Sequence, residues 1–383
     1  MITLLEGSIQ RYGWGSKTLI QELCGWQRDD QSIAELWFGA HPKAPSAVQG
    51  TTQNLLQLLE RDQGLPFLLK LIAVAKPLSI QAHPNAQAAQ AGYDREQEQG
   101  ISLNAAQRSY PDPNHKPELL VALTEFHALA GFDTPQRISE ALTLISDATL
   151  QALLAPLTAR GDLRGAFSAL LQSDANSHAA MLDSLRRVPA DGNAKLLLAQ
   201  RLLGEYPNDL GALLSVFLRS LVLQPGQALY VTSGLLHCYL SGLAVEIMAN
   251  SDNVLRCGLT SKYVDVTELL RVVDTTATPL VLQGTTTVEP TELVYQAAVP
   301  EFLLSRLVLS PGQSVACEAS QTEIVLSVGP TITLTDANGT NTVKPGRAAF
   351  VRAGTRYTLQ GNGACFRARA GRPGATIRPA AMN

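Results

Sequence analysis

Two segments of this 383-residue chain share one turn spacing, and that repeat restricts the folds open to it. In the first, Pro225-Gly226 is followed by Gly234 nine residues after the proline and by His237 twelve after it. In the second, Pro345, Gly346, Gly354 and Tyr357 stand at the same offsets. A Pro-Gly turn fixes the entry to a strand, and the later glycine permits a tight turn that re-aims the next strand across a barrel. Turn, apolar strand, glycine turn and strand thus occur twice, and two related small β-barrels are expected. The copies differ at their last position, where the metal-capable His237 of the first is Tyr357 in the second. Around Pro311 to Gly329 there are Cys317, Glu318 and Glu323 but no histidine, so the second barrel is expected to hold no metal.

The rest of the chain fits around these copies. From Ile2 to Phe132, short apolar runs such as Leu65 to Ala75 and Leu119 to Leu123 are separated by Gly, Pro and Asn, a strand pattern with irregular connections. From Asp133 to Leu218 the spacing becomes helical, as in Ile138, Leu142 and Ile145, then Leu150, Leu153, Leu154 and Leu157. The expected fold is mainly β with an α-helical insertion. A discontinuous first barrel takes residues 1–132 and 219–275, the helical insertion 133–218, and a second barrel 276–383.

Composition narrows the function classes. Hydrophobic residues make up 45% and charged residues 16%, as in a chain with sizeable cores. A net charge of −3 gives no broad positive field, so neither nucleic acid nor an anionic membrane is an expected partner. The apolar run Leu65 to Ala75 is interrupted by Lys70 and too short to span a bilayer. Cys24, Cys238, Cys257, Cys317 and Cys365 are odd in number and free of CxxC pairs, which argues against a disulfide framework or a thiolate zinc site. Reduced thiols in the cytoplasm are the simpler expectation. The first ten residues carry Glu6 and Gln10 and do not read as a signal peptide.

Four residues carry a metal-binding pattern. Gln81 and His83 lie two apart, so a strand sends both side chains to one face. Glu118 heads the run Leu119 to Leu123, and His237 follows the Gly234 turn. Two imidazoles, one carboxylate and one amide oxygen suit zinc, and also manganese or iron, because no sulfur ligand biases the choice. Taken singly, His83 before a proline reads equally as a turn histidine, and Glu118 as a paired surface carboxylate.

At this point the chain resembles the type I phosphomannose isomerases, a cupin family, over nearly its whole length. The matching segments are Tyr12-Gly13-Trp14-Gly15-Ser16, Ala34-Glu35-Leu36-Trp37 with His41-Pro42-Lys43, Pro77 to Asn85, Asp112 to Glu118, and His237 through Arg256 to Gly258-Leu259-Thr260 and Lys262. It departs from the usual pattern at Gly13, Cys238, Cys257 and Ser261, none of them a proposed ligand. The resemblance implies two cupin-type jelly-roll barrels plus a helical domain, and one zinc per chain on Gln81, His83, Glu118 and His237, with Arg256 in the active site. It implies interconversion of mannose 6-phosphate and fructose 6-phosphate, and the chain is expected to act as a monomer.

Such a reaction moves a proton between C1 and C2 through an enediol and needs an acid/base and a stabiliser of oxyanion charge. Glu246 and Lys116 are the expected proton carriers, with Asp252 and His115 behind them. Glu246 reads equally as a buried partner of Arg256 or Lys116. Ser79 and Lys262 are phosphate candidates, Asp252 a further substrate contact, and Arg256 serves either phosphate or the enediolate. The ligand set alone also permits an iron oxygenase or a sugar-binding cupin without catalysis. A thiol at Cys238 beside His237 reads either as an oxidation-sensitive group or as a small buried residue.

Overall fold

The computed structural model describes residues 1–59, 64–276, 285–289 and 291–371. The end of the expected second barrel, 372–383, and residues 277–284 beside the expected 275/276 boundary lie outside them. The described strands form three antiparallel sheets of eight, ten and four strands, and most helices fall between residues 135 and 214. The architecture is mainly β, with two cupin-type barrels and a helical insertion. Among the described residues, no helix is long and apolar enough to cross a membrane.

Both copies of the repeat fold alike. Gly226, Gly234, Gly346 and Gly354 all take positive φ, between 68° and 89°, where a side chain would be strained. Between the paired turns run the strands Ala228–Val231 and Ala348–Val351. The next strand opens on His237 in the first copy and on Arg356-Tyr357 in the second.

The insertion leaves the first barrel intact because its ends meet. The strand before it, Phe126–Phe132, pairs with the strand after it, Leu218–Leu223, down to Phe132 opposite Leu218. In between, Thr134, Asp162, Asp174 and Asn193 each accept a backbone N–H at a helix start, satisfying donors a helix cannot satisfy itself. The helically spaced Ile138, Leu142, Ile145, Leu150 and Leu154 are all buried in one core.

That core continues into the barrel by strand alternation. Ile80, Ala82, Leu236, Cys238, Leu240, Leu255 and Cys257 pack against the helices. Their neighbours Gln81, His237 and Arg256 therefore point to the opposite face. The central sheet repeats the device: Leu69, Leu71, Val245 and Ile247 share a core with Phe302, Leu304, Ile324 and Phe366 of the second barrel, which sends Lys70 and Glu246 inward.

One strand departs from the expected division. Ile2–Glu6, assigned by sequence to the first barrel, pairs with Ala348–Val351 of the second. Leu5 is buried with Phe350 and Phe366, which explains the crossing.

Tyr357, the counterpart of His237, donates its hydroxyl to Glu323. Glu323 in turn accepts from Arg367 at 2.8 Å, and the same guanidinium lies 3.1 Å from Glu292. Arg367 thus lies between two buried carboxylates inside the second barrel, with Arg369 as a second cation 3.8 Å from Glu292. Removing one partner of such a cluster leaves uncompensated charge. Arg367→Met is expected to destabilise the fold by about 3–5 kcal/mol, read as a lower urea midpoint. An unchanged midpoint would show that the cluster contributes nothing.

Candidate metal centre and cavity

The Cα register of three antiparallel strands assembles one side of the site. Gln81 stands opposite His237 on one flank and opposite Arg256 on the other. Directly opposed residues share a face, so the amide, the imidazole and the guanidinium form one row. His83 lies just beyond that strand, where its carbonyl accepts the Gly234 N–H at 2.8 Å. The repeat's second glycine therefore also fixes the His83 backbone.

His83, Glu118 and His237 are buried and converge, with ligand atoms within 4.8 Å of one another. Glu118 Oε1 is 3.3 Å from His83 Nε2, and its Oε2 is 3.6 Å from His237 Nε2. The other ring nitrogens settle the tautomers. His83 Nδ1 donates to the Asn253 carbonyl at 2.9 Å and His237 Nδ1 to the Leu235 carbonyl at 3.0 Å. A carbonyl only accepts, so each Nδ1 carries the hydrogen and each Nε2 presents a lone pair. Both Nε2 atoms are buried without a hydrogen-bond partner. Two orphaned lone pairs facing one carboxylate fit a divalent cation bound by nitrogen and oxygen.

The charge states agree. Burial first, then the neighbouring His83, holds the His237 imidazole down to about 4, and burial lowers His83 as well. Burial alone would raise Glu118, but Lys116 and both imidazoles keep its carboxyl well below the usual range. Neutral histidines beside an ionised glutamate are the forms a metal requires.

Beside these residues lies a cavity of about 340 Å³ whose wall includes Lys70, Lys116, Arg256, Lys262, Asp252 and Trp37. Lys116 Nζ lies 3.0 Å from Glu118 Oε1. Among the described residues Arg256 and Lys262 have no acidic partner. Burial lowers both, and Arg256 with Lys43 adds repulsion at Lys262.

Other expected residues sit elsewhere or are engaged. Glu246 pairs with Lys70 at 3.1 Å, not with Arg256 or Lys116, and does not line the cavity. Its carboxyl is raised by burial against the pull of Lys70. Asp252 is bound to Lys43 at 2.8 Å and lies 3.6 Å from His41, so it braces the wall. Ser79 is half-buried just before the strand Ile80–Ala82 and outside the cavity lining. His115 binds Glu301 of the second barrel at 2.7 Å. The Cys238 thiol is fully buried against the Leu78 carbonyl at 3.0 Å, and burial pushes it up, which disfavours the reactive thiolate and makes it a packing residue.

Sequence reasoning missed Lys70, Glu35, Tyr239 and Asn253. Lys70 bridges Glu246 and Glu35 at 3.1 and 3.3 Å and lies over the Trp37 ring. Tyr239 OH reaches Glu118 Oε2 at 3.5 Å. Asn253 holds the Asp112 and Asn114 carbonyls at 2.8 and 2.7 Å while its own carbonyl orients His83. A lysine inside the apolar run Leu65 to Ala75 was the one available signal.

Fold and site together define a two-barrel cupin with, among the described residues, one His/Glu/His metal-binding cluster beside a cationic cavity. The family model described as the phosphomannose isomerase type I catalytic domain matches residues 2–134. The mannose-6-phosphate isomerase of Escherichia coli (strain K12) is 36% identical, over 94% of this chain and 97% of that protein. The Homo sapiens enzyme of the same name is 30% identical over 79% and 81%. A zinc-bound mannose 6-phosphate isomerase structure matches with a TM-score of 0.88 and 32% identity, covering 96% of this chain and 99% of that one. The apo form from Salmonella typhimurium matches at 0.89 with the same identity and coverage. The chain belongs to the type I mannose-6-phosphate isomerase family.

The buried imidazoles give a pH dependence. Between about 4 and 6.5 the unfolded chain binds a proton that folded His237 refuses. Metal-free protein should therefore be fully stabilised above pH 6.5 and lose stability as pH falls toward 4. His237 alone accounts for about 3 kcal/mol of that loss. The depressed Glu118 acts in the same direction. Urea midpoints of chelated protein at pH 7.5 and 4.5 measure it, and equal midpoints would contradict neutral buried histidines.

Proposed function

We propose that this chain is a zinc-dependent aldose–ketose isomerase interconverting mannose 6-phosphate and fructose 6-phosphate. The observation that carries the reading is the pair of orphaned imidazole Nε2 atoms facing Glu118 beside a cavity with two unpaired cations. His83, Glu118 and His237 would hold the zinc, with Gln81 supplying an amide oxygen from the same row. The bound metal supplies Lewis acidity toward a carbonyl or hydroxyl oxygen of the sugar.

The protein's own groups do the rest. Arg256 and Lys262, cationic and without acidic partners, receive the phosphate or the charge that develops along C1 and C2. Lys116 lines the cavity and stands against Glu118, so it is the group placed to carry the proton between the carbons. Glu246 acts from behind: with Glu35 it keeps Lys70 charged, and Lys70 fixes the field of the cavity wall. Asp252 holds Lys43 and His41 in place on the rim.

An oxygenase with iron on the same ligands, or a sugar-binding cupin, gives the wall no need of both a lysine on the ligand carboxylate and an unpaired arginine. A coupled assay with mannose 6-phosphate separates the three readings. His237→Ala is expected to lose zinc and turnover together. Arg256→Ala should retain one zinc per chain and lose roughly 10²–10³-fold in kcat, as when one oxyanion donor is removed. Equal zinc loss in both variants would refute the division of roles, and a wild-type protein inactive on mannose 6-phosphate would refute the function.

A further inference from the structure

A second cationic cavity lies where the helical insertion joins the first barrel. It has a volume of about 300 Å³, and its wall includes Arg137, Lys195, Arg219, Asp133 and Glu140. Asp133, buried at the end of the strand Phe126–Phe132, is the centre of the cluster. Its Oδ2 takes Lys195 Nζ at 2.9 Å, which neutralises it. Lys195 Nζ also donates to the Leu218 carbonyl at 2.6 Å.

Two arginines make only long ion pairs with Asp133. Arg137 Nη1 is 3.9 Å and Arg219 Nε 4.0 Å from the same carboxylate, too far for hydrogen bonds. Arg219 Nε is buried with no acceptor, and its side chain is only 22% exposed. Neither guanidinium has a hydrogen-bond partner among the described residues. Glu140 keeps its charge, since Gln136 gives its carboxylate only a neutral donor at 2.9 Å, so three cations face two carboxylates and the wall is net positive. The wall also includes Asn193 and Ala194 at the N-terminus of the helix Ala194–Glu205, whose dipole favours an anion even though the Asn193 side chain already accepts the Lys195 and Leu196 N–H groups.

A carboxylate already satisfied by lysine does not need two more arginines. Two unbonded guanidinium forks, one partly desolvated, converging on a roomy cavity match the geometry that a tetrahedral dianion accepts in several hydrogen bonds. We propose that this junction is a phosphate-binding site, separate from the cavity at the metal centre, which takes inorganic phosphate or the phosphate group of a small ester. Its wall takes in Arg219 and Ser220 of the strand that follows the insertion, and Asp133 directly after the strand that precedes it. The Asp133 N–H bonds the Phe217 carbonyl at 2.9 Å, and the strand Phe126–Phe132 pairs through Ala130 with His237. An anion here braces the strand beside the metal ligand.

Calorimetric titration of the zinc-loaded full chain with inorganic phosphate tests the site. The Arg137→Gln/Arg219→Gln variant should bind one equivalent fewer than wild type, with mannose 6-phosphate turnover in phosphate-free buffer unchanged. That unchanged turnover shows the variant is folded and keeps this test independent of the isomerase reading. Arg137→Gln alone, at an exposed position, should weaken the same equivalent about tenfold. Displacement of phosphate by glycerol 3-phosphate would assign the site to phosphomonoesters, and its failure to displace would assign the free ion. Equal stoichiometry and affinity in wild type and both variants overturns the proposal.

Discussion

The two-residue period of three paired strands, held from Gln81 to its partners His237 and Arg256, is the constraint on which the site depends. Ile80–Ala82, His237–Ala249 and Leu255–Gly258 each have one face locked by the apolar core of the helical insertion. With Leu236, Cys238, Leu240, Leu255 and Cys257 held there, Gln81, His237 and Arg256 have no freedom to turn away from the barrel interior. A slip of one residue in any of these strands would turn Gln81, His237 or Arg256 toward the leucines of the insertion core. The insertion thus acts as the template that fixes the register of the metal-binding face.

The same logic operates on the far side of the barrel, where the second barrel takes the place of the helices. Its phenylalanines and leucines hold the outer face of the central sheet, and Lys70 and Glu246 are thereby driven inward. Two buried charges of opposite sign then pair, with Glu35 as a second partner for the lysine. The second barrel carries its own buried cluster around Arg367, with Tyr357 at the repeat position that His237 occupies in the first. The duplicated turns are alike in backbone while the interiors have diverged in chemistry.

Much of this was legible in the sequence for identifiable reasons. Turn spacing is written in Pro and Gly because their backbone preferences are local, so the repeat and its two barrels could be read directly. Gln81 and His83, two residues apart, and His237, following a glycine turn, report their face. Partnership is different, because it depends on register across residues far apart in sequence. Glu246 finds Lys70 only because they stand opposite each other in the paired strands. Asn253 could not be distinguished from its polar neighbours until its carbonyl was seen to orient His83. The crossing of Ile2–Glu6 to the second barrel had no local signal at all, since an apolar strand pairs equally well with either sheet.

The central claim is that alternation places nitrogen and oxygen ligands, and no sulfur, around the metal. X-ray absorption at the zinc edge of the metal-loaded protein measures that shell. The account predicts two imidazole nitrogens and only oxygen besides, at about 2.0–2.2 Å. A sulfur scatterer at about 2.3 Å, which Cys238 alone is near enough in sequence to His237 to suggest, would contradict the assigned register.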